Sequence, residues 1–193
     1  MKFVTPTAVR FNYTCPDDYT GQRCDKIKHP RSCKDLATNG AKTSGVHVLY
    51  NSQNRPFPVY CDFDSEAGYV WALIQSHSLA NNDQFKFKRF GVDFSVNEDD
   101  GMINWNAHRL SLSRMQSIAN VSTHLRATCN FPVDGLLYTD YARAKLEGHN
   151  FFGVWQAECR NYERINIRGI ECKDCMHLHG KLKMKRGTST VIT

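Results

Sequence analysis

Gly45-Val-His-Val-Leu-Tyr50 alternates apolar and polar positions at period two and is rich in β-branched and aromatic residues, which predicts a strand. A polar turn from Asn51 to Arg55 follows, and Val59, Cys61 and Phe63 then alternate as the inward face of a second strand. Tyr69 to Gln75 (YVWALIQ) is a largely continuous apolar run, as expected for a strand in the middle of a sheet, and is the expected core strand. Farther on, Gln84 to Lys88 alternates aromatic residues with lysine, and Val92, Phe94 and Val96 alternate again. The turn signal Asp100-Gly101 predicts a hairpin returning into Met102 to Trp105.

Two helices stand out. Leu112, Met115, Ile118 and Ala119 share one face at helical spacing, with Ser113, Arg114 and Gln116 opposite. A shorter helix is signalled after Pro30, where Ser32 is placed as N-cap, Asp35 sits three residues on, and Asn39-Gly40 supplies a left-handed stop. No internal repeat or low-complexity linker appears, and the evident boundary lies near Lys26 to Arg31. The expected class is α+β and rich in strands.

The 193 residues suffice for one ordinary domain plus a small appendage, and no apolar run is long enough for a spanning helix. The formal charge of +6 is dispersed except at Lys181, Lys183, Lys185 and Arg186. Dispersed charge is a solvated surface rather than a nucleic-acid site. The basic tail, residues 181–193 (KLKMKRGTSTVIT), has no helical period and is expected to be disordered. Eight cysteines, at 15, 24, 33, 61, 129, 159, 172 and 175, favour pairing in an oxidising compartment. The sequons Asn12-Tyr13-Thr14 and Asn120-Val121-Ser122 are candidate glycosylation sites and fit a secretory route. Met1 to Arg10 lacks the apolar stretch of a signal peptide, so the chain is expected to be a fragment or an incomplete gene product.

Ser32-Cys-Lys-Asp-Leu36, Thr43-Ser-Gly-Val-His-Val-Leu-Tyr50, Pro56-Phe-Pro-Val-Tyr-Cys-Asp-Phe63 and Trp71-Ala-Leu-Ile-Gln75 together resemble the first subdomain of fibrinogen-related proteins. One departure is that the family's glycine run before its tryptophan is reduced to Gly68, followed by Tyr69-Val70. After Gln75 the likeness thins to Ala107-His-Arg-Leu-Ser111. Before it, Cys15-Pro-Asp-Asp-Tyr-Thr-Gly-Gln-Arg-Cys24 resembles the last loop of an EGF-like domain, although Tyr13 stands where that family has a further cysteine. The resemblance implies an EGF-like remnant over residues 1–26, a partial fibrinogen C-terminal-like domain over 32–180, and the tail at 181–193. It implies disulfides Cys15–Cys24 and Cys33–Cys61, the second worth about 3–4 kcal/mol through lost unfolded-state entropy.

In function, the resemblance implies a secreted, non-enzymatic recognition, adhesion or matrix module, lectin-like, with glycans or matrix proteins as partners. The complete family domain is expected to carry calcium in an acidic loop ahead of a cysteine-closed ligand pocket, and no comparable segment is recognised here. Asp93, Asn97, Asp99 and Asp100 form the most acidic stretch, but the sixth position from Asp93 is Glu98 rather than the glycine of an EF-hand loop. Cys172, Cys175, His177 and His179 are the sharpest metal-like cluster, and they support an alternative: an intracellular zinc protein whose basic tail touches nucleic acid. Against it, Cys172 and Cys175 can pair with each other or with Cys129 and Cys159, and four cysteines leave three connectivities open. His47, His108 and His149, and the aromatics of residues 136–141 and 151–155, are expected to be ordinary surface or core residues. No nucleophile motif or phosphate-cradling loop is present.

Overall fold

The computed structural model describes residues 14–86, 88–147, 152, 159–178 and 188–192; at 159, 160, 177, 178 and 188–192 only the backbone is described. A two-stranded sheet, β1 (Tyr19–Thr20) with β2 (Lys26–Ile27), precedes helix α1 (Cys33–Thr38). Strands β3 (Gly45–Tyr50), β4 (Pro56–Asp62) and β5 (Trp71–His77) follow as predicted. Next come a 3₁₀ turn at Leu79–Asn81, α2 (Asn82–Phe85), β6 (Ala107–Arg109) and α3 (Leu112–Ala119). The fold continues through β7 (His124–Cys129), α4 (Phe131–Asp134), β8 (Tyr141–Lys145), β9 (Cys159–Ile167), β10 (Ile170–Leu178) and β11 (Thr188–Ile192).

All large strands join one antiparallel sheet in the order β10-β9-β8-β7-β11-β5-β4-β3, with β6 paired to β5. Strand β5 is buried on both faces, which explains its apolar run from Trp71 to Ile74. On one face Ala72 and Ile74 pack with Leu49, Phe57, Val59 and Cys61 beneath Met115 and Ile118 of α3. On the other, Trp71 and Leu73 pack with Tyr60, Tyr69, Ile103 and Trp105.

Helix α1 starts as its sequence dictates. The Ser32 hydroxyl accepts from the Asp35 N–H, while the Asp35 carboxylate accepts from the Ser32 N–H, a complete capping box. Gly40 takes φ +100° to end it. The Asn39 side chain then clamps Ile27, donating to its carbonyl at 2.8 Å and accepting from its N–H at 2.7 Å. The small N-terminal sheet is thereby held against the larger domain.

Two expectations change. The hairpin from Asp100-Gly101 into Met102 to Trp105 does not form: Val96 bridges instead to Arg109, and 102–105 is irregular, with Ile103 and Trp105 packing on Trp71 and Leu73. The reason is Arg109, fully buried, whose guanidinium donates to the carbonyls of Lys88 (2.7 Å), Arg89 and Val92 (3.0 Å) and to Gln75 Oε1 (3.2 Å). Phe90 and Phe94 flank it. The loop therefore wraps around a cation rather than extending as a strand, and burial brings the Arg109 pKa down to about 10. The second change is in the tail: Thr188–Ile192, expected to be disordered, is β11, lodged between β5 and β7. Its β-branched Thr-Ser-Thr-Val-Ile sequence satisfies the ladder on both sides. The basic residues 181–186 lie outside the described residues.

Replacing Arg109 with Met keeps the bulk and orphans the loop carbonyls. A loss of about 2–4 kcal/mol in urea unfolding is expected. A change below about 0.5 kcal/mol, the size of an ordinary surface substitution, would show that the loop holds itself.

Candidate functional site

The sequence-derived candidates separate in the structure. Cys15 and Cys24 are bonded, with Cα atoms 5.3 Å apart, and so are Cys33 and Cys61, at 5.6 Å, the latter pair fully buried beside Val59. Cys172 and Cys175 are bonded to each other, so in this form neither sulfur is a thiolate that could hold zinc. The His177 side chain and all of His179 lie outside the described residues, as do Asn12 and His149. Asn120 is exposed at the C-cap of α3. Among the described residues no group of three or more His, Cys, Asp or Glu side chains is placed to hold a metal ion, and no helix is long and apolar enough to cross a membrane.

The acidic stretch serves helix α3. The Ser111 side chain makes no cap bond; instead Glu98 accepts from the Ser111 N–H at 2.6 Å and Asp93 from the Leu112 N–H at 2.9 Å. These carboxylates supply acceptors to orphaned donors at the positive helix end. Arg114, one turn in, pairs with Glu98 at 3.3 Å and Asp99 at 2.7 Å. Asn97 turns its amide to the Ala107 carbonyl.

What the sequence pattern did not reveal is a buried polar network on the Trp71 face. Arg126 of β7, 1% exposed, lies over the Trp71 ring at 4.6 Å and pairs with Asp62 at 2.8 Å and Glu66 at 3.1 Å. Ser65 donates to Asp62 and accepts from Arg126. Glu66 also accepts from the Tyr141 hydroxyl at 2.7 Å and from Arg143 at 2.6 Å. Arg143, over Tyr69, continues to Glu163 of β9 at 2.8 Å, which meets His124 at 3.3 Å. Burial alone would raise the Asp62 carboxyl, but bonds from Ser65 and Arg126 outweigh it and hold its pKa below the ordinary value. Glu163 is likewise lowered, burial being overcome by Arg143 and His124. The Tyr141 phenol is pushed far up, by burial first and by Glu66 second.

Beyond Glu163 the network opens into a polar cleft of about 440 Å³, lined by Lys145, Glu147, Asn161, Tyr162, Glu163 and Asp174. Glu163 is committed to Arg143 and His124. Lys145, Glu147 and Asp174 form no ion pair among the described residues and are exposed. The cleft thus offers an ammonium, two carboxylates and an amide to a small polar ligand. No spacing rule gathers these residues, because three strands bring them together.

Arg126→Met leaves Asp62 as an uncompensated buried charge and Glu66 with Arg143 alone, and is expected to cost about 3–5 kcal/mol in chemical denaturation; an unchanged midpoint would deny the network its role. Acid is expected to destabilise the protein in two stages. His77 and His108 have pKa values lowered by burial, so the unfolded chain takes up protons first and stability falls as pH drops through 6.5. The slope is at most about 1.4 kcal/mol per pH unit for each histidine. Asp62 and Glu163, depressed in the folded state, contribute stability above the ordinary carboxylate range that is lost below pH ~4. Melting temperatures flat from pH 7 to 3 would contradict both.

Residues 29–123 match the family model of the C-terminal globular domain of fibrinogen beta and gamma chains. Human Ficolin-3 is 33% identical over 85 residues, which cover 43% of this chain and 28% of Ficolin-3. Mouse Angiopoietin-4 is 29% identical over 97 residues, 49% of this chain and 19% of its own length. The chain therefore spans well under two thirds of these relatives. Among solved structures, the fibrinogen-like globe domain of human ANGPTL2 aligns with 60% of this chain and 49% of its own, at 19% identity and a TM-score of 0.37. Through residues 29–123, the stretch that builds α1, β3 to β6 and α3, the chain is similar to the fibrinogen C-terminal globular domain family.

Proposed function

We propose that this chain acts outside the cell as a non-enzymatic recognition module whose partners are glycans or matrix proteins. The observation that carries this is the family match over residues 29–123, with the Cys33–Cys61 disulfide inside it. The disulfides support an oxidising compartment. An exposed Asn120 at a helix end is accessible to the glycosylation its sequon invites. The charged groups of the network are turned on one another, whereas those of the β8–β9–β10 cleft face solvent, so the cleft is the proposed ligand site. Its amide, carboxylates and ammonium suit hydroxyl and amide groups of a saccharide or a short polar peptide.

Calcium is not expected to be required at the acidic stretch, because Asp93, Glu98 and Asp99 are already engaged by α3 and Arg114. The test is a glycan array and immobilised matrix proteins, each probed with and without calcium, followed by calorimetry with N-acetylated sugars. Calcium-independent binding that falls about tenfold in Glu147→Gln is expected, the size of one lost hydrogen bond to a charged group; N-acetylated monosaccharides alone should bind weakly or not at all. Micromolar binding that needs calcium would place the site at Asp93–Asp100 instead.

A further inference from the structure

We infer that the Cys172–Cys175 disulfide is a thiol-exchange site, reducible ahead of the Cys33–Cys61 disulfide, and that its opening reshapes the adjoining cleft. The inference starts from spacing. In a regular strand, residues three apart lie about 10 Å apart with side chains on opposite faces. Cys172 and Cys175 both sit within β10, yet their Cα atoms are 6.0 Å apart. The backbone contracts at Asp174, a non-glycine residue held at φ +48° in mid-strand. Left-handed backbone is unfavourable for an L-residue and persists where its surroundings impose it.

The ladder shows what imposes it. Lys173 pairs with Arg164 and Cys175 with Tyr162, so the register is the same on both sides of Asp174. No extra residue has been inserted; one residue has been turned out of an otherwise continuous ladder, between the two bonded cysteines. Released from the bridge, Asp174 can return to extended backbone and would then stand opposite Glu163. Both residues line the cleft, so opening the bridge changes the cleft's wall and brings two carboxylates together.

Accessibility points the same way. The bridge lies on β10, the edge strand of the sheet, with both cysteines half-buried, whereas Cys33 and Cys61 are 2% and 0% exposed. It closes a sequence separation of only 3, against 28 for Cys33–Cys61, and so constrains the unfolded chain least. Cys175 packs against Ala142, Ala144, Tyr162 and Ile165, leaving Cys172 the more open sulfur.

In the exchange, the thiolate of a small external thiol attacks Cys172 Sγ. The bond to Cys175 breaks, and Cys175 leaves as a thiolate that takes a proton from water. A second thiol then attacks the mixed disulfide, so that two thiols become one disulfide and the bridge gains two electrons and two protons.

The test incubates the full chain across a graded series of reduced to oxidised glutathione, traps free thiols by alkylation and maps peptides. Cys172 and Cys175 are expected to be labelled at poises where Cys33 and Cys61 remain bonded. Asp174→Gly accepts the left-handed backbone without penalty, and should make the bridge about fivefold harder to reduce. At the selective poise, NMR amide shifts of Asp174 and Glu163 should move while those of α3 stay fixed. Labelling no earlier than Cys33 and Cys61, a reduction midpoint unmoved by Asp174→Gly, or unchanged amides at 163 and 174 would each overturn the inference.

Discussion

The guanidinium of Arg126, flat on Trp71 and gripped by Asp62 and Glu66, is the constraint on which the rest of this structure depends. Charges this deeply buried are costly unless every one is paired and hydrogen-bonded. Here the pairing is nearly complete: Ser65, Tyr141, Arg143 and Glu163 extend the cluster until it reaches solvent at the cleft. The end of β4 and the loop after it supply the inner acids, β7 and β8 supply the cations, and β9 supplies the outermost acid. Residues 60 to 77 positions apart in sequence are thus obliged to meet. Removing Arg126, Asp62 or Glu66, the inner members, leaves a buried partner short of a counter-charge.

This arrangement divides the work between the two faces of β5. One face is an apolar core sealed by α1, α3 and the Cys33–Cys61 disulfide; the other is a layer of aromatic rings carrying cations. Arg109 repeats the device with a different partner, since backbone carbonyls rather than carboxylates surround it, and the loop from Lys88 to Val92 takes its shape from that cage. The family-matched segment ends at residue 123 and the cleft begins at Lys145. The ion network, together with β11 laddered between β5 and β7, joins the matched scaffold to the strands that carry the proposed site.

What the sequence made legible was local. Ser32 and Asp35 announce the capping box of α1, and Leu112, Met115 and Ile118 announce the buried face of α3, because caps and helical periods are written within a few residues. Strands β3, β4 and β5 were legible for the same reason. The Asp100-Gly101 hairpin failed because a turn signal says nothing of a buried arginine eight residues later that claims the strand's partner. Strand β11 was hidden by the lysines before it, although its β-branched run was visible. The network was not legible, since Asp62, Glu66, Arg126 and Glu163 share no period or motif. The faint signal was an arginine in mid-strand between apolar neighbours, Arg126 between Leu125 and Ala127 and Arg143 between Ala142 and Ala144.

Native-state hydrogen exchange on a Glu66→Gln variant tests most directly whether the network couples the two parts of the sheet. Glu66 touches three partners, and the substitution removes its charge while keeping its shape. If the network is the coupling, amides of β7, β8 and β9, about 60 to 100 residues downstream, lose protection together. Those of α1, β3 and β4 should stay protected behind their own core and disulfide. Loss of protection confined to the loop between Asp62 and Trp71, with β7 to β9 unchanged, would contradict the account.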